Sequence, residues 1–293
     1  MPSESQVELC VAGLVYFEVF VPPVTMPAPG QEVFVDAIRL GLGGALNTAS
    51  VATALGLDVV LAYPRGEGLS DDAIAQRIAR LGISTKHWLA RTDPAISLVF
   101  SGPEDRAFVS AADFDALQHC ESLCPAKWIH VPGLLEAKYL SKPLAIARAG
   151  GARISVSGSW APAELAALQH HSSPLWDLLI LNDKEAACAA GDPRKAPELL
   201  RGAASSIVVT AGAEGAFGLL GGKWVSCPAE PVTAIDFTGA GDAFCAGFLA
   251  AHLYGMDGAD ALRHGCRVAA RLLTQSGGVV ENPELLANLE MNN

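Results

Sequence analysis

The chain carries little charge and few aromatic residues for its length. Charged residues make up 17% of its 293 positions and aromatics 6%. The charge that is present leans acidic, with 31 Asp and Glu against 20 Lys and Arg, a formal net charge of −11. A broad nucleic-acid surface needs clustered Lys and Arg, so no nucleic-acid partner is expected. No apolar run reaches the roughly 20 residues that span a bilayer, so no membrane role is expected. The first residues lack a basic region, and Glu8 and Glu18 interrupt the apolar run, which therefore reads as a first strand and not a signal peptide. Seven cysteines are scattered without the spacing of a common zinc site. Free thiols in a reducing cytoplasm are the expectation.

Several nucleotide and catalytic motifs are also missing. There is no Gly-x-x-x-x-Gly-Lys-[Ser/Thr], which argues against a P-loop NTPase. Gly41-Leu-Gly43-Gly44-Ala-Leu46 and Gly239-Ala-Gly241-Asp-Ala-Phe244 both fail Gly-x-Gly-x-x-Gly at its last position. A dinucleotide site thus has no support, and no Gly-x-Ser-x-Gly nucleophile elbow is present.

What is present is alternation. Short apolar runs at 7–14, 59–63, 128–131, 154–156, 178–181 and 207–209 end in small or polar residues. Ala/Leu-rich helical segments lie between many of them, at 71–81, 161–169, 184–190 and 242–254. Continuous apolar strands alternating with helices predict an α/β domain with a mostly parallel central sheet covered on both faces. Ligands bind such sheets outside the carboxyl ends of the strands, where Asn182, Thr210 and the loop before Asp242 fall. Two segments, at about 15–40 and 93–112, break the alternation; the second reads as a hairpin around Gly102 and Pro103. They predict a small β-sheet projecting over the site as a lid, within one domain spanning 1–293. Such a lid would keep water from a transferring phosphoryl group. Its apolar strand surface suits a homodimer through the lid.

The most telling run is Asp236-Phe-Thr-Gly-Ala-Gly-Asp242, placed before the apolar helix-forming stretch Ala243–Ala251. A helix N-terminus offers free N–H groups and a positive dipole end to an anion. A carboxylate at that point can act as a general base. Local physics alone also allows a glycine-rich turn in which Asp242 merely caps the helix.

The complete heptapeptide resembles the signature of the PfkB family of sugar kinases, the ribokinase-like kinases, and the order of landmarks is similar from about residue 7 to 280. The resemblance implies a three-layer ribokinase-like fold and ATP-dependent phosphorylation of a sugar or sugar-like small molecule. It implies that Asp242 deprotonates the attacking hydroxyl and that Gly239, Ala240 and Gly241 form the anion hole. Asp236 matches the aspartate of a monovalent-cation (K⁺) site, although Phe237 stands where many members carry Thr. Asn182-Asp-Lys-Glu185 resembles an Asn-x-x-Glu motif that organises Mg²⁺, water and phosphate; plain helix capping is its alternative. Thr210, Gly212 and Gly215 resemble a loop at the nucleotide phosphates, and residues 264–278, with Ala269, Ala270, Gly277 and Gly278, fall where the adenine pocket is lined.

On the sugar side, Gly43, Gly44 and Asn47 resemble the glycine pair and Asn that approach sugar hydroxyls. Two residues separate the pair from Asn47 where the family has three. Glu18 replaces the usual hydroxyl-binding Asp, and Tyr16 stands where ribokinase-like members have Asn. The reaction is therefore better specified than the substrate. A nucleoside kinase of the same fold, with Tyr16 and Phe17 near the base, is the alternative. A non-catalytic sugar- or nucleotide-binding protein on this scaffold is another.

Overall fold

The computed structural model describes residues 6–90, 95–101 and 106–289. Thirteen strands are found among them: β1 Val7–Ala12, β2 Val15–Val21, β3 Arg39–Gly44, β4 Val59–Arg65, β5 Ser84–Leu89, β6 Ala95–Ser101, β7 Arg106–Ala112, β8 Ala126–Val131, β9 Arg153–Ser157, β10 Trp176–Asn182, β11 Ala204–Thr210, β12 Ala216–Leu220 and β13 Lys223–Cys227. The α-helices are α1 Ala45–Ala54, α2 Leu69–Leu81, α3 Leu134–Tyr139, α4 Ser141–Ala149, α5 Pro162–Ala167, α6 Asp183–Ala190, α7 Ala196–Leu199, α8 Ala240–Leu253 and α9 Gly258–Leu272.

Nine strands form the large sheet, in the order β13-β12-β11-β10-β9-β8-β1-β4-β5. The seven from β11 to β5 run parallel; at one edge β12 runs antiparallel to β11, and β13 antiparallel to β12. Parallel strands are buried on both faces, which is why they read as unbroken apolar runs. On β1 the alternation separates two cores: Leu9 and Val11 pack with α1, α8 and α9, and Cys10 and Ala12 with the helices of the other face. Helix α8 is apolar all round, and Ala243 to Ala251 are all buried in it. Gly247 lets it approach α9, because a Cβ there would lie 2.8 Å from the Val268 side chain.

The smaller sheet has the order β3-β2-β6-β7, with β6 and β7 an antiparallel pair. The turn at Gly102 and Pro103, and residues 93 and 94 of the second segment, lie outside the described residues. This sheet leaves the large one directly after β1, whose neighbours are β8 and β4. The order of the large sheet reverses at β1, and such a switch point opens a crevice at the carboxyl ends of the strands.

Two boundaries differ from the sequence reading. Helix α8 begins at Ala240, two residues before the 242–254 segment read from the sequence, so Gly241 lies inside its first turn with Asp242. Gly43 and Gly44, which the sequence reads as opening a helix that runs through Thr48 to Leu55, instead end strand β3, and α1 starts only at Ala45. Both shifts place the glycines where the chain must enter a helix with positive φ: Gly44 has φ 68° and Gly239 φ 75°.

Candidate active site

Asp242 is the third residue of α8, half-buried above the sheet. Its Oδ2 accepts a 2.9 Å hydrogen bond from Nδ2 of Asn47, and its Oδ1 a 3.4 Å bond from the Thr48 hydroxyl. Both partners come from the first turns of α1. Burial pushes the Asp242 carboxyl up to about 6, while these two hydrogen bonds pull it down. The first-turn N–H groups of α8 have no intrahelical carbonyl to bond, and the Ala240 N–H makes only a long 3.4 Å contact with the Phe237 carbonyl. Gly239, Ala240 and Gly241 thus stand together at the positive end of the helix, beside a carboxylate with a raised pKa.

The loop at 276–278 closes over this point. A Cβ on Gly239 would lie 2.5 Å from the Gly278 Cα, and a Cβ on Gly278 would lie 2.7 Å from the Asn47 side chain. Asn47 is buried. Gly277 and Gly278 therefore serve the Asp242 end of the site, whereas the sequence reading placed them with the adenine-pocket residues.

Asp236 is buried beneath the same loop. Its Oδ1 accepts from the Thr238 N–H (2.7 Å) and the Thr238 hydroxyl (2.6 Å). Its Oδ2 accepts from the Gly277 N–H (2.9 Å) and the Ser276 hydroxyl (3.3 Å). The Arg39 guanidinium, from the first residue of β3, lies 3.6 Å from the same oxygen.

On the small sheet, Glu18 of β2 is buried, and its carboxylate lies across Gly43 of β3. A Cβ on Gly43 would come within 2.3 Å of Glu18 Oε1. A Cβ on Gly44 would meet the Leu14 carbonyl at 2.3 Å and the Tyr16 ring at 2.8 Å. The glycine pair thus makes room for Glu18 and Tyr16. Glu136, in the first turn of α3, was missed in the sequence. Its Oε1 accepts the Leu14 N–H at 2.8 Å, and its carboxylate lies in a slot between Gly13 and Gly133, where a Cβ on either would come within 2.7 Å of it. Burial pushes Glu136 up to about 8, and the negative charge of Asp242 adds to the shift. The charges of Glu136 and Glu18 likewise reinforce burial in raising the Tyr16 hydroxyl. The detectable signal was Pro132-Gly133 at a strand end followed three residues later by Glu.

At the end of β10, Asn182 and Glu185 form a reciprocal capping box at the start of α6. Asn182 Oδ1 accepts the Glu185 N–H at 2.8 Å, and Glu185 Oε2 accepts the Asn182 N–H at 2.9 Å. The capping alternative thus describes their local role. Glu185 is nonetheless buried, and burial, reinforced by the charge of Asp242, raises its carboxyl above the usual range. Asn182 and Thr210 are register partners at the ends of β10 and β11. Thr210, Gly212 and Gly215 line a cleft of about 710 Å³ with Ala240, Gly241, Phe244, Ala269 and Ala270. Phe237 also lines it and is 71% exposed. The cleft is mostly apolar and opens onto the first turn of α8, as an adenine nucleotide with its phosphates at the helix end would need. Among the described residues, no group of three or more His, Cys, Asp and Glu could hold a metal ion by itself.

Comparison with known proteins gives the family and the fold. The chain is 31% identical over 269 residues to the 1-phosphofructokinase of Haloferax volcanii, covering 85% of each. The nucleoside kinase of Methanocaldococcus jannaschii, an archaeal member of the ribokinase family, shares the fold with a TM-score of 0.77 at 18% identity, over 99% of this chain and 100% of that one. Ribokinase of Arabidopsis thaliana, solved with ribose and ATP, superposes with a TM-score of 0.76 at 15% identity, over 99% and 100% of the two chains. The pattern of the pfkB family carbohydrate kinases matches residues 9–285. With that match along nearly its whole length, the chain belongs to the pfkB family of carbohydrate kinases.

Proposed function

We propose that the protein transfers the γ-phosphate of ATP to a hydroxymethyl group of a sugar or sugar-like small molecule. The observation that carries this reading is Asp242: a carboxylate with a raised pKa, oriented by Asn47 and set among the free N–H groups of a helix start. In its ionised form Asp242 takes the proton as the hydroxyl oxygen attacks the γ-phosphorus in line, while the bond from that phosphorus to the β,γ-bridging oxygen breaks and ADP leaves with its electron pair. The N–H groups of Gly239, Ala240 and Gly241 bind the equatorial oxygens of the transferring group. Glu18, Asn47 and Glu136 bind and orient the sugar hydroxyls from three sides. The small sheet over Glu18 acts as a lid and excludes water.

ATP fits the cleft lined by Thr210, Gly212, Gly215, Ala269 and Ala270, with its phosphates toward Gly241. Mg²⁺ neutralises charge on the phosphates when bound. It keeps several waters and needs no all-protein cage, which suits a site without a three-ligand cluster. Capping uses Oδ1 of Asn182 and Oε2 of Glu185, so Asn182 Nδ2 and Glu185 Oε1 are the atoms that would hold hydrated Mg²⁺ and phosphate. Leu40, Leu98 and Val109 of the small sheet are exposed, which supports a homodimer through the lid.

Tyr16 favours a second reading, a nucleoside kinase, because its ring packs against Gly44 beside Glu18 and Glu136 and offers a surface for a base. A coupled assay of ADP formation across pentoses, hexoses, ketoses, sugar acids and nucleosides tests both. The proposal expects sugar-dependent ADP. Turnover with nucleosides alone selects the second reading, and binding of ligands without ADP formation would mean a non-catalytic protein.

A further inference from the structure

The four in-plane lone-pair positions of the Asp236 carboxylate are taken by four donors, two from Thr238 and one each from Ser276 and Gly277. A monovalent cation binds through oxygen lone pairs, so it would have to displace these donors, two of them backbone N–H groups. The residues present therefore do not fit the K⁺ site implied by the family resemblance.

Asp236 still carries a negative charge under the loop that touches Gly239, where an incoming phosphoryl group also brings negative charge. Arg39 is the described cation at that carboxylate, 3.6 Å from Oδ2. Its guanidinium is held on its other side by the Phe20 ring, with its central carbon 3.9 Å from the ring centroid. An added Cβ at Gly277 would come 3.4 Å from its Nη1, so it also packs on the closing loop. Arg39 lies on β3 of the small sheet and Asp236 in the phosphoryl-transfer loop, so the pair also bridges lid and body.

We infer that Arg39 supplies the fixed positive charge at Asp236 that a monovalent cation would otherwise bring, so that the kinase works without K⁺ and the lid helps to hold the anion hole in place. Arg39 acts through Asp236 and the 276–278 loop and is a positioning residue. The inference rests on the kinase reading for its activity arm only.

The test compares wild type with Arg39→Gln and Arg39→Lys in about 0.1 M KCl and in tetramethylammonium chloride of the same ionic strength, which screens charge equally. Two quantities are read: the melting temperature, which needs no turnover, and sugar-dependent ADP formation. For the wild type, a specifically bound K⁺ would raise the melting temperature through linkage; the expected result is no K⁺-specific rise and turnover equal in the two salts within about twofold. Arg39→Gln is expected to stay folded and lose about tenfold in kcat in both salts alike, a loss of roughly 1.4 kcal/mol of transition-state stabilisation, because the four donors at Asp236 remain and still exclude K⁺. Arg39→Lys, which keeps the charge, is expected to remain indifferent to K⁺. K⁺-specific stabilisation of the wild type, K⁺-stimulated turnover beyond twofold, or wild-type kcat in Arg39→Gln overturns the inference. Absence of ADP in every salt is a failure of the kinase reading, and the melting data still decide the cation question.

Discussion

Asn47 donates a 2.9 Å hydrogen bond to Oδ2 of Asp242 across 195 residues of sequence. The bond joins the first turn of α1, which follows β3 of the small sheet, to the first turn of α8, where the proposed anion hole lies. One amide thus orients the proposed base and stands beside the proposed sugar site. It also favours the ionised carboxylate, against the burial that disfavours it.

The pH profile follows from that balance. With the Asp242 carboxyl at about 6, kcat/KM should climb with pH through a midpoint near that value and then level. Below the midpoint it should fall about tenfold per pH unit, as the protonated base is inactive. In Asn47→Ala the stabilising donor is gone, so the acid limb should move to higher pH. A profile flat from pH 5 to about 8 in the wild type would remove Asp242 from the role of base.

Gly278 sets the position of Asn47. In Gly278→Ala the new methyl would meet the Asn47 side chain at 2.7 Å, so Asn47 or the loop has to move. The expected outcome is a fall in kcat of about tenfold, on the order of 1.4 kcal/mol, with modest change in melting temperature. ATP affinity, read by calorimetry, should hold, because the Thr210–Gly215 cleft lies elsewhere. Unchanged kcat would show that the loop does not position the amide.

The end of the candidate site around Asp242 was visible in the sequence because its residues are contiguous. Asp236 to Asp242 is one continuous run, and Asn182 to Glu185 is one helix cap. The strands that hold them were legible because parallel strands buried on both faces leave unbroken apolar runs. Glu136 was marked in the sequence only by Pro132-Gly133 three residues before it, a weak signal, since a Glu three residues into a helix joins the candidate site only when β1 and β8 lie side by side and bring Gly13 and Gly133 to its carboxylate. Arg39 was hidden for the same reason: 197 positions separate it from Asp236, and nothing near it in sequence marks it as a partner. Gly43 was read as room for a ligand, and the structure gives that room to the carboxylate of Glu18.

Glu136 should leave a signature in stability. Its carboxyl sits at about 8 in the folded protein against 4.5 as the ordinary value. The folded state keeps a proton that the unfolded state has lost, so stability should decline as pH rises from about 4.5 and stop declining above about 8. Glu136→Gln keeps an oxygen for the Leu14 N–H and has no proton to lose. Its melting temperature should therefore fall less steeply than that of the wild type between these two pH values. Parallel melting curves for the two proteins would mean that Glu136 is ionised in the fold.

Asp242→Asn tests the central claim most directly, assayed for ADP formation with the best sugar of the panel alongside calorimetric ATP binding. The variant should fold, bind ATP as the wild type does and lose about two to four decades in kcat, the usual contribution of a positioned base. Turnover within about threefold of wild type would contradict the account, because a base contributing the usual two to four decades cannot be replaced by an amide at so small a loss.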